Sequence, residues 1–349
     1  WAKNIYWGNL KSPFKGHNPD WTAQAALEFI EEHKNQPFYL HCCSTLLHGP
    51  NGEWFKSMME KELVTGEGYL KKPLGLIDRE SVWKRIQKAG LTEAEVGYLW
   101  MDDSLGLILD KLDALGIADN TIVVFVSDHG SERKGSLIKT RGTEIPCLIR
   151  WPKVIKPGSV SQGLLQNTDF VPTWFELAKA KIPEDYHIDG KSLVPMLKDP
   201  AVSIRKYIYG EQGAARAIKT DTFEYISIRY LDEQIAAAQS KRADRAYKTL
   251  LGLSSGISRA RYFHPDIFSA DQLYDLSKDP DSQKNLAKDS RYAKQLKKMK
   301  AMLTRTIKEL GSRPYGDFVP GEGTSDAEAS QKVLDQLAAH HAKENKKKK

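Results

Sequence analysis

The spacing of apolar residues changes several times along the chain, and each change marks an element. From Asp20 to about His33, the residues Ala23, Ala26, Leu27 and Ile30 recur at helical spacing, with Asp20 placed to cap the helix. Pro37 ends that region. Phe38 to Cys43 then reads as a short buried strand, followed by a loop from Ser44 that carries His48, Gly49 and Pro50. The stretch Asn51 to Ala89 is rich in Lys, Glu and Gly and predicts an insertion with short helices. Thr92-Glu93-Ala94-Glu95 matches a capping box, in which the Thr and Glu side chains satisfy free backbone N–H groups. The helix it opens should reach about Leu115, with Leu105, Ile108, Leu109 and Leu112 inward and Gly116 closing it. Ile122 to Val126 is an unbroken run of β-branched and aromatic residues, the pattern of a strand buried on both faces of a parallel sheet. Another strand is expected at Cys147 to Trp151 and a helix over Val171 to Ala180.

The texture changes beyond Asp199. Short strand patterns occur at Tyr207 to Tyr209, Ala215 to Lys219, Tyr225 to Tyr230 and Leu273 to Leu276, and Asp279-Pro280-Asp281 makes a turn. A basic amphipathic helix follows from about Tyr292 to Leu310. Alternating strands and helices predict an α/β layered sheet with helices on both faces over residues 1–200. A smaller C-terminal α+β subdomain is expected over 201–315, then a peripheral helix and basic tail over 316–349.

Composition narrows the function classes. With 40% hydrophobic and 28% charged residues in 349, the chain can bury a sizeable core. Four of the seven formal net positive charges belong to Lys346, Lys347, Lys348 and Lys349, a run of the kind that forms a solvated tail. The basic balance therefore does not point to nucleic acid, and no helix-turn-helix, zinc-finger or aromatic-basic pattern does so either. Cys42, Cys43 and Cys147 are odd in number and lack C-x-x-C spacing, which argues against a disulfide framework or a Cys-based zinc site. All three fall in expected strands, where a small buried apolar role is usual. No apolar run reaches transmembrane length. No signal peptide is visible in a chain that starts at Trp1.

In open α/β sheets, ligands bind beyond the C-terminal ends of the strands. That rule selects the loop carrying His48 and the loop Ser127-Asp128-His129-Gly130, with Lys134-Gly135-Ser136 just after it. Asp128 and His129 are two metal-ligand types on one tight turn, or a polar turn that only closes a strand. Two ligands do not complete a hard-cation site, which takes about six or more oxygens. His48 is a general acid at a loop tip or an ordinary solvated histidine. Lys134 is an anion-holding point charge or a surface lysine. His41, inside the expected strand, reads as a packing or capping residue.

The motifs then form an ordered series. Thr121 through Gly130 resembles the sulfatase pattern of a buried strand ending in Ser-Asp-His/Asn-Gly. Lys134-Gly135-Ser136, Gly142-Thr143-Glu144-Ile145-Pro146 and Ile149-Arg150-Trp151-Pro152 resemble the next segment of that family. Asn167 through Thr173 and Asp189-Gly190-Lys191-Ser192-Leu193 follow in order. Pro37 to Leu40 with His48-Gly49-Pro50 resembles the earlier strand and histidine loop, and Gln272 to Leu276 with Asn285-Leu286-Ala287 the C-terminal subdomain. The resemblance spans about residues 1–315. Sulfatases belong to the alkaline-phosphatase-like superfamily. The resemblance implies that fold, sulfate-ester hydrolysis by a formylglycine made from a C/S-x-P-x-R motif, and a bound Ca²⁺. Carried over, Asp128 and His129 are calcium ligands. His48 donates a proton to the leaving alcohol, and Lys134 offsets charge on a sulfate oxygen. The implied partner is a sulfated small molecule or glycan, and family members are often exported.

The chain departs from the family pattern in several places. It contains no C/S-x-P-x-R; Ser312-Arg313-Pro314-Tyr315-Gly316 starts similarly but lacks the Arg. The family's early Asp-Asp metal pair and Gly-Lys-Trp-His segment are also missing, which reads as loss of an N-terminal portion. A chain without the nucleophile is expected to be inactive by itself, and to expose apolar sheet edges. Lys139-Thr140-Arg141 replaces the commoner Glu-Gly-Gly, so Lys134 and Lys139 both stand as candidates for the sulfate contact. Two alternatives remain. One is a phosphodiesterase or phosphonate hydrolase of the same superfamily. The other is a non-catalytic sulfatase-like binding module.

Overall fold

The computed structural model describes residues 17–48, 52–60, 63–65, 68–70, 76–130, 136–212, 215–228, 266 and 269–310. The chain divides into two compact units, Trp1–Val123 with Trp151–Lys153, and Val124–Arg150 with Val154–Lys349.

In the first unit, helix α1 (Pro19–His33) starts two residues earlier than its sequence pattern suggests. The cap is Asn18, whose Oδ1 accepts a hydrogen bond from the Trp21 amide at 3.2 Å. Pro19 occupies the first helical turn, where its missing N–H costs nothing and its fixed φ suits the helix. Asp20 is thus inside the helix and turned inward, its side chain 1% exposed and ion-paired to Arg79. The Arg79 guanidinium also stands 4.9 Å from the Trp100 ring centroid, so the buried charge is met by both a carboxylate and an aromatic face.

Three further helices, a hairpin and a one-turn helix follow in this unit. Helix α2 (Gly52–Met59) is followed by an antiparallel hairpin of β1 (Leu63–Thr65) and β2 (Gly68–Leu70), with Leu63 opposite Leu70. Asp78 caps α3 (Arg79–Lys88), and a one-turn helix with the expected Thr92–Glu95 capping box leads into α4 (Val96–Ala114), which Gly116 closes at φ +66°. Trp54 and Met58 of α2, Val82 and Ile86 of α3, and Val96 and Trp100 of α4 share one core. Gly97 makes this packing possible. A Cβ there would lie 2.5 Å from the Trp54 ring, inside any tolerable contact. The segment expected as a buried strand, Phe38 to Cys43, is extended but joins no ladder among the described residues. Tyr39 is 69% exposed, and Cys42 and Cys43 are exposed rather than buried, because no neighbouring described strand covers them.

In the second unit, β3 (Val123–Val126) and β4 (Cys147–Arg150) form a two-stranded sheet. Full burial of β3 does not hold: Val126 is 40% exposed and Leu148 on β4 is 63% exposed, since two strands alone cannot sandwich each other. Beyond them, α5 (Phe170–Leu177) and α6 (Val194–Lys198) are joined by a buried polar clasp. The Asp169 carboxylate accepts from the backbone of Gln166 at 2.7 Å and of Lys191 at 2.8 Å, and pairs with Arg205. Thr173 donates to the Asp169 carbonyl and accepts from the Leu193 amide. Gly190 is obligatory here, because a Cβ would sit 2.1 Å from the Thr168 carbonyl oxygen. The two motifs Asn167–Thr173 and Asp189–Leu193 are therefore the two halves of one structural clasp.

The C-terminal sheet is antiparallel in the order β5 (Ile208–Gln212), β6 (Ala215–Lys219), β7 (Phe223–Ile228), β8 (Asp271–Asp275). Helix α7 (Ala293–Glu309) lays Met299 and Leu303 against Ile218, Tyr225 and Leu273. The residues beyond 310, including the expected peripheral helix and tail, lie outside the described residues. Among the described residues no helix is long and apolar enough to cross a membrane.

Replacing Asp169 by Ala leaves a nearly buried Arg205 guanidinium uncompensated, a change that costs about 3–5 kcal/mol. The expected outcome is a loss of that size in the unfolding free energy from urea titration. Removing Glu80 from its exposed pair with Lys84 should leave stability nearly unchanged. Equal effects for the two variants would contradict the clasp.

Candidate active site

The His48 loop lies in the first unit and is held from three sides. His17 is 1% exposed, and its Nδ1 lies 3.1 Å from the Thr45 hydroxyl. The Ser57 hydroxyl accepts from the His17 amide at 3.0 Å. The His48 amide donates to the Thr45 carbonyl at 3.4 Å, closing a turn in which Leu47 has φ +70°. A positive φ at a branched residue carries strain of order 1–3 kcal/mol and persists only where surroundings impose it. The Trp54 indole supplies part of that constraint by donating to the His48 carbonyl at 3.0 Å. Gly97 admits Trp54, and Trp54 anchors the loop tip, so a helix-packing residue reaches the histidine through one side chain. The His48 imidazole itself is exposed. His17 escaped the sequence reading. Gly16-His17-Asn18-Pro19 did carry a helix-start signal that could have located it.

Burial pushes the His17 imidazole down to about 4 from its ordinary 6.5. The charge of nearby His48 adds to the effect, and Thr45 opposes it. His17 is thus neutral at physiological pH and sits beside the candidate proton donor.

The second unit carries the Ser127–Gly130 turn directly after β3. The Ser127 hydroxyl donates to the His129 carbonyl at 2.9 Å, and the Gly130 amide donates to the Gly142 carbonyl at 2.9 Å. His129 Nδ1 lies 2.7 Å from the Gly130 carbonyl oxygen. A carbonyl can only accept, so the proton belongs on Nδ1 and the lone pair of a neutral ring on Nε2. That Nε2 faces Asp128 Oδ2 at 3.3 Å. Both atoms are thus available to one cation. The donor set suits a divalent metal: a hard carboxylate oxygen with an imidazole nitrogen, the latter favouring borderline metals over Ca²⁺. The Asp128 side chain is 83% exposed, which leaves its face open to further ligands. Among the described residues no three His, Cys, Asp or Glu side chains converge as a metal site.

Downstream of the turn, Lys134 lies outside the described residues. Lys139 opens the helical turn Lys139–Thr143 and sits 3.5 Å from Glu144. The buried Lys219 ammonium reaches into this segment. It donates to the Thr143 hydroxyl at 2.5 Å and pairs with Glu224, its direct opposite on β7, at 3.2 Å. Burial lowers the Lys219 pKa, and Glu224 pulls it back up. Of the candidate residues, Asp128 and His129 thus come together, while His48 belongs to the other unit.

The sulfatase family model matches residues 2–180, just over half of the chain, and covers both loops just described. This chain belongs to the sulfatase family. A second model, described as N-sulphoglucosamine sulphohydrolase, C-terminal, matches residues 134–233. An ulvan-active sulfatase of Formosa agariphila is 32% identical over 226 residues, covering 60% of this sulfatase chain and 41% of the relative. An N-acetylglucosamine-6-O-sulfatase of Bacteroides thetaiotaomicron is 28% identical over 231 residues, covering 64% and 36% respectively. The chain therefore spans less than half the length of either. A solved structure in complex with its substrate D-glucosamine-2-N,6-O-disulfate aligns with TM-score 0.51 and 22% identity, covering 84% of this chain and 70% of that one. The fold is the α/β fold of the alkaline-phosphatase-like sulfatases, as expected from the motifs.

The buried His17 has a pH signature. Unfolded, its imidazole takes up a proton near 6.5; folded, it does so only near 4. Between those values the unfolded state binds more protons, so stability falls as pH drops through the window and is unaffected above it. The full effect is on the order of 3 kcal/mol. Unfolding free energies from urea titrations at pH 7 and pH 4 are expected to differ by about that much more for the unaltered chain than for His17→Gln. An identical pH dependence in both would contradict the assignment.

Proposed function

We infer that this chain supplies part of the catalytic centre of a sulfuric ester hydrolase acting on a sulfated saccharide. The observation that carries the reading is the convergence of Asp128 Oδ2 and His129 Nε2 at 3.3 Å on the turn after β3, within the family-matched region. Asp128 and His129 would hold a divalent cation, Ca²⁺ in the family, which when bound offsets the negative charge of the sulfate oxygens. His48 is the proton donor to the leaving alcohol oxygen, presented at the tip of a strained, anchored loop. Lys134, or Lys139 in its place, holds a sulfate oxygen as a compact point charge. The saccharide assignment draws on relatives named for sulfated N-acetylglucosamine and ulvan. No Cys or Ser in the 349 residues stands in the C/S-x-P-x-R pattern, so the nucleophile is not assigned to any residue of this chain.

The purified chain, supplied with Ca²⁺, is expected to release no 4-nitrophenol from 4-nitrophenyl sulfate. Turnover abolished by His48→Ala and Asp128→Asn would overturn the nucleophile assignment while keeping the site. Turnover indifferent to both substitutions would overturn the site as well.

A further inference from the structure

Helix α7 is amphipathic, and its outer face is almost purely cationic. It carries Lys294, Lys297, Lys298, Lys300, Arg305 and Lys308 against a single acid, Glu309. Solvated helices usually intersperse both signs, because i,i+4 pairs of opposite charge stabilise them. Here Lys300 is used internally, bonded to Asp271 at 2.7 Å, and Arg305 stands 3.9 Å from Glu309. Lys294, Lys297 and Lys298 are exposed and have no hydrogen bond or ion pair among the described residues. They lie on one side of the helix at spacings of three and four residues, one cationic group or more per turn of about 5.4 Å.

Alongside the first turns of α7 runs a groove of roughly 370 Å³, large enough for a sugar-sized unit. Its lining joins Ala287, Ala293 and Leu296 with Lys288 and Lys297. Lys288 is likewise exposed and without a partner among the described residues. The one acid in the lining, Asp289, is neutralised locally by Arg291, which binds it through Nε at 3.0 Å and through a terminal nitrogen at 2.6 Å. The groove is thus net positive, with apolar residues in its lining and exposed lysines beside it on the helix.

We propose that this surface binds a segment of a sulfated polysaccharide, separately from the Ser127–Gly130 turn. The occupant follows from charge complementarity. A linear polyanion with regularly spaced sulfates matches a row of point-charge ammonium groups that impose no bidentate geometry. Single-stranded nucleic acid is a poorer match, since its binders add aromatic side chains for base stacking and none lines this groove. The choice of a sulfated polymer rests on the proposed saccharide substrate, but the surface is tested by binding and not by turnover, so the two readings fail separately.

The test uses the full chain and dextran sulfate, with unsulfated dextran and double-stranded DNA as comparators. Two variants separate the sources of positive charge: Lys288→Gln/Lys297→Gln/Lys298→Gln on the groove, and Lys346→Gln to Lys349→Gln in the tail. The exposed glutamines keep helix propensity, and an unchanged far-UV spectrum and melting temperature verify folding. The expected result is binding to dextran sulfate but not dextran. The groove variant should bind at least tenfold more weakly and lose about one unit of log–log salt slope per lysine, while the tail variant keeps most of the affinity. Loss confined to the tail variant would overturn the proposal. Equal affinity for DNA through the same three lysines would overturn it too, by showing a general polyanion surface.

Discussion

On the Ser127–Gly130 turn a carboxylate oxygen and an imidazole nitrogen stand 3.3 Å apart, an arrangement that a cation between them would stabilise. The backbone enforces this at Asp128 and His129. Because His129 Nδ1 is committed to the Gly130 carbonyl, the ring cannot swing its proton-bearing nitrogen toward the carboxylate without losing that bond. The turn therefore presents the carboxylate oxygen and the ring nitrogen together to a cation.

The turn owes its shape to distant residues. Gly130 is fastened to Gly142, and the neighbouring Thr143 is held by Lys219, a fully buried ammonium on β6. Lys219 is tolerable there only because Glu224 faces it across the sheet, and Ser282 donates to Glu224 at 2.8 Å. Breaking such a buried pair from one side is strongly destabilising, even where the intact pair adds little net stability. The C-terminal sheet thus acts on the candidate metal turn through a short chain of hydrogen bonds within one unit. The clasp around Asp169 does comparable work between α5 and α6, and the anchored His48 loop does so in the first unit.

Much of this was legible in the residues. Helical spacing and the Thr92–Glu95 box located α4 and its start, a β-branched run located β3, and short strand patterns located β4 and the C-terminal strands. The pairing of Asp128 with His129 follows from their adjacency on a glycine turn. What escaped depended on tertiary contacts. Asp20 looks like a cap in sequence, yet Pro19 moves the start to Asn18 and frees Asp20 for Arg79, 59 residues away. His17 looks like one more polar loop residue until Thr45 and Ser57 close over it. The apolar and aromatic residues of Phe38 to Cys43 report strand propensity, but burial needs neighbouring strands that propensity does not specify. The motif Asp189–Leu193 resembled functional sequence, and its role is to bond Asp169 and Thr173.

The account stands or falls on a cation at the Ser127–Gly130 turn. Crystals of the chain soaked in Mn²⁺, a divalent ion visible by anomalous scattering, test it directly. The expected result is an anomalous peak within coordination distance of Asp128 Oδ2 and His129 Nε2, lost in Asp128→Asn. A refined structure with no peak there, and with the imidazole hydrogen-bonded directly to the carboxylate, would contradict it.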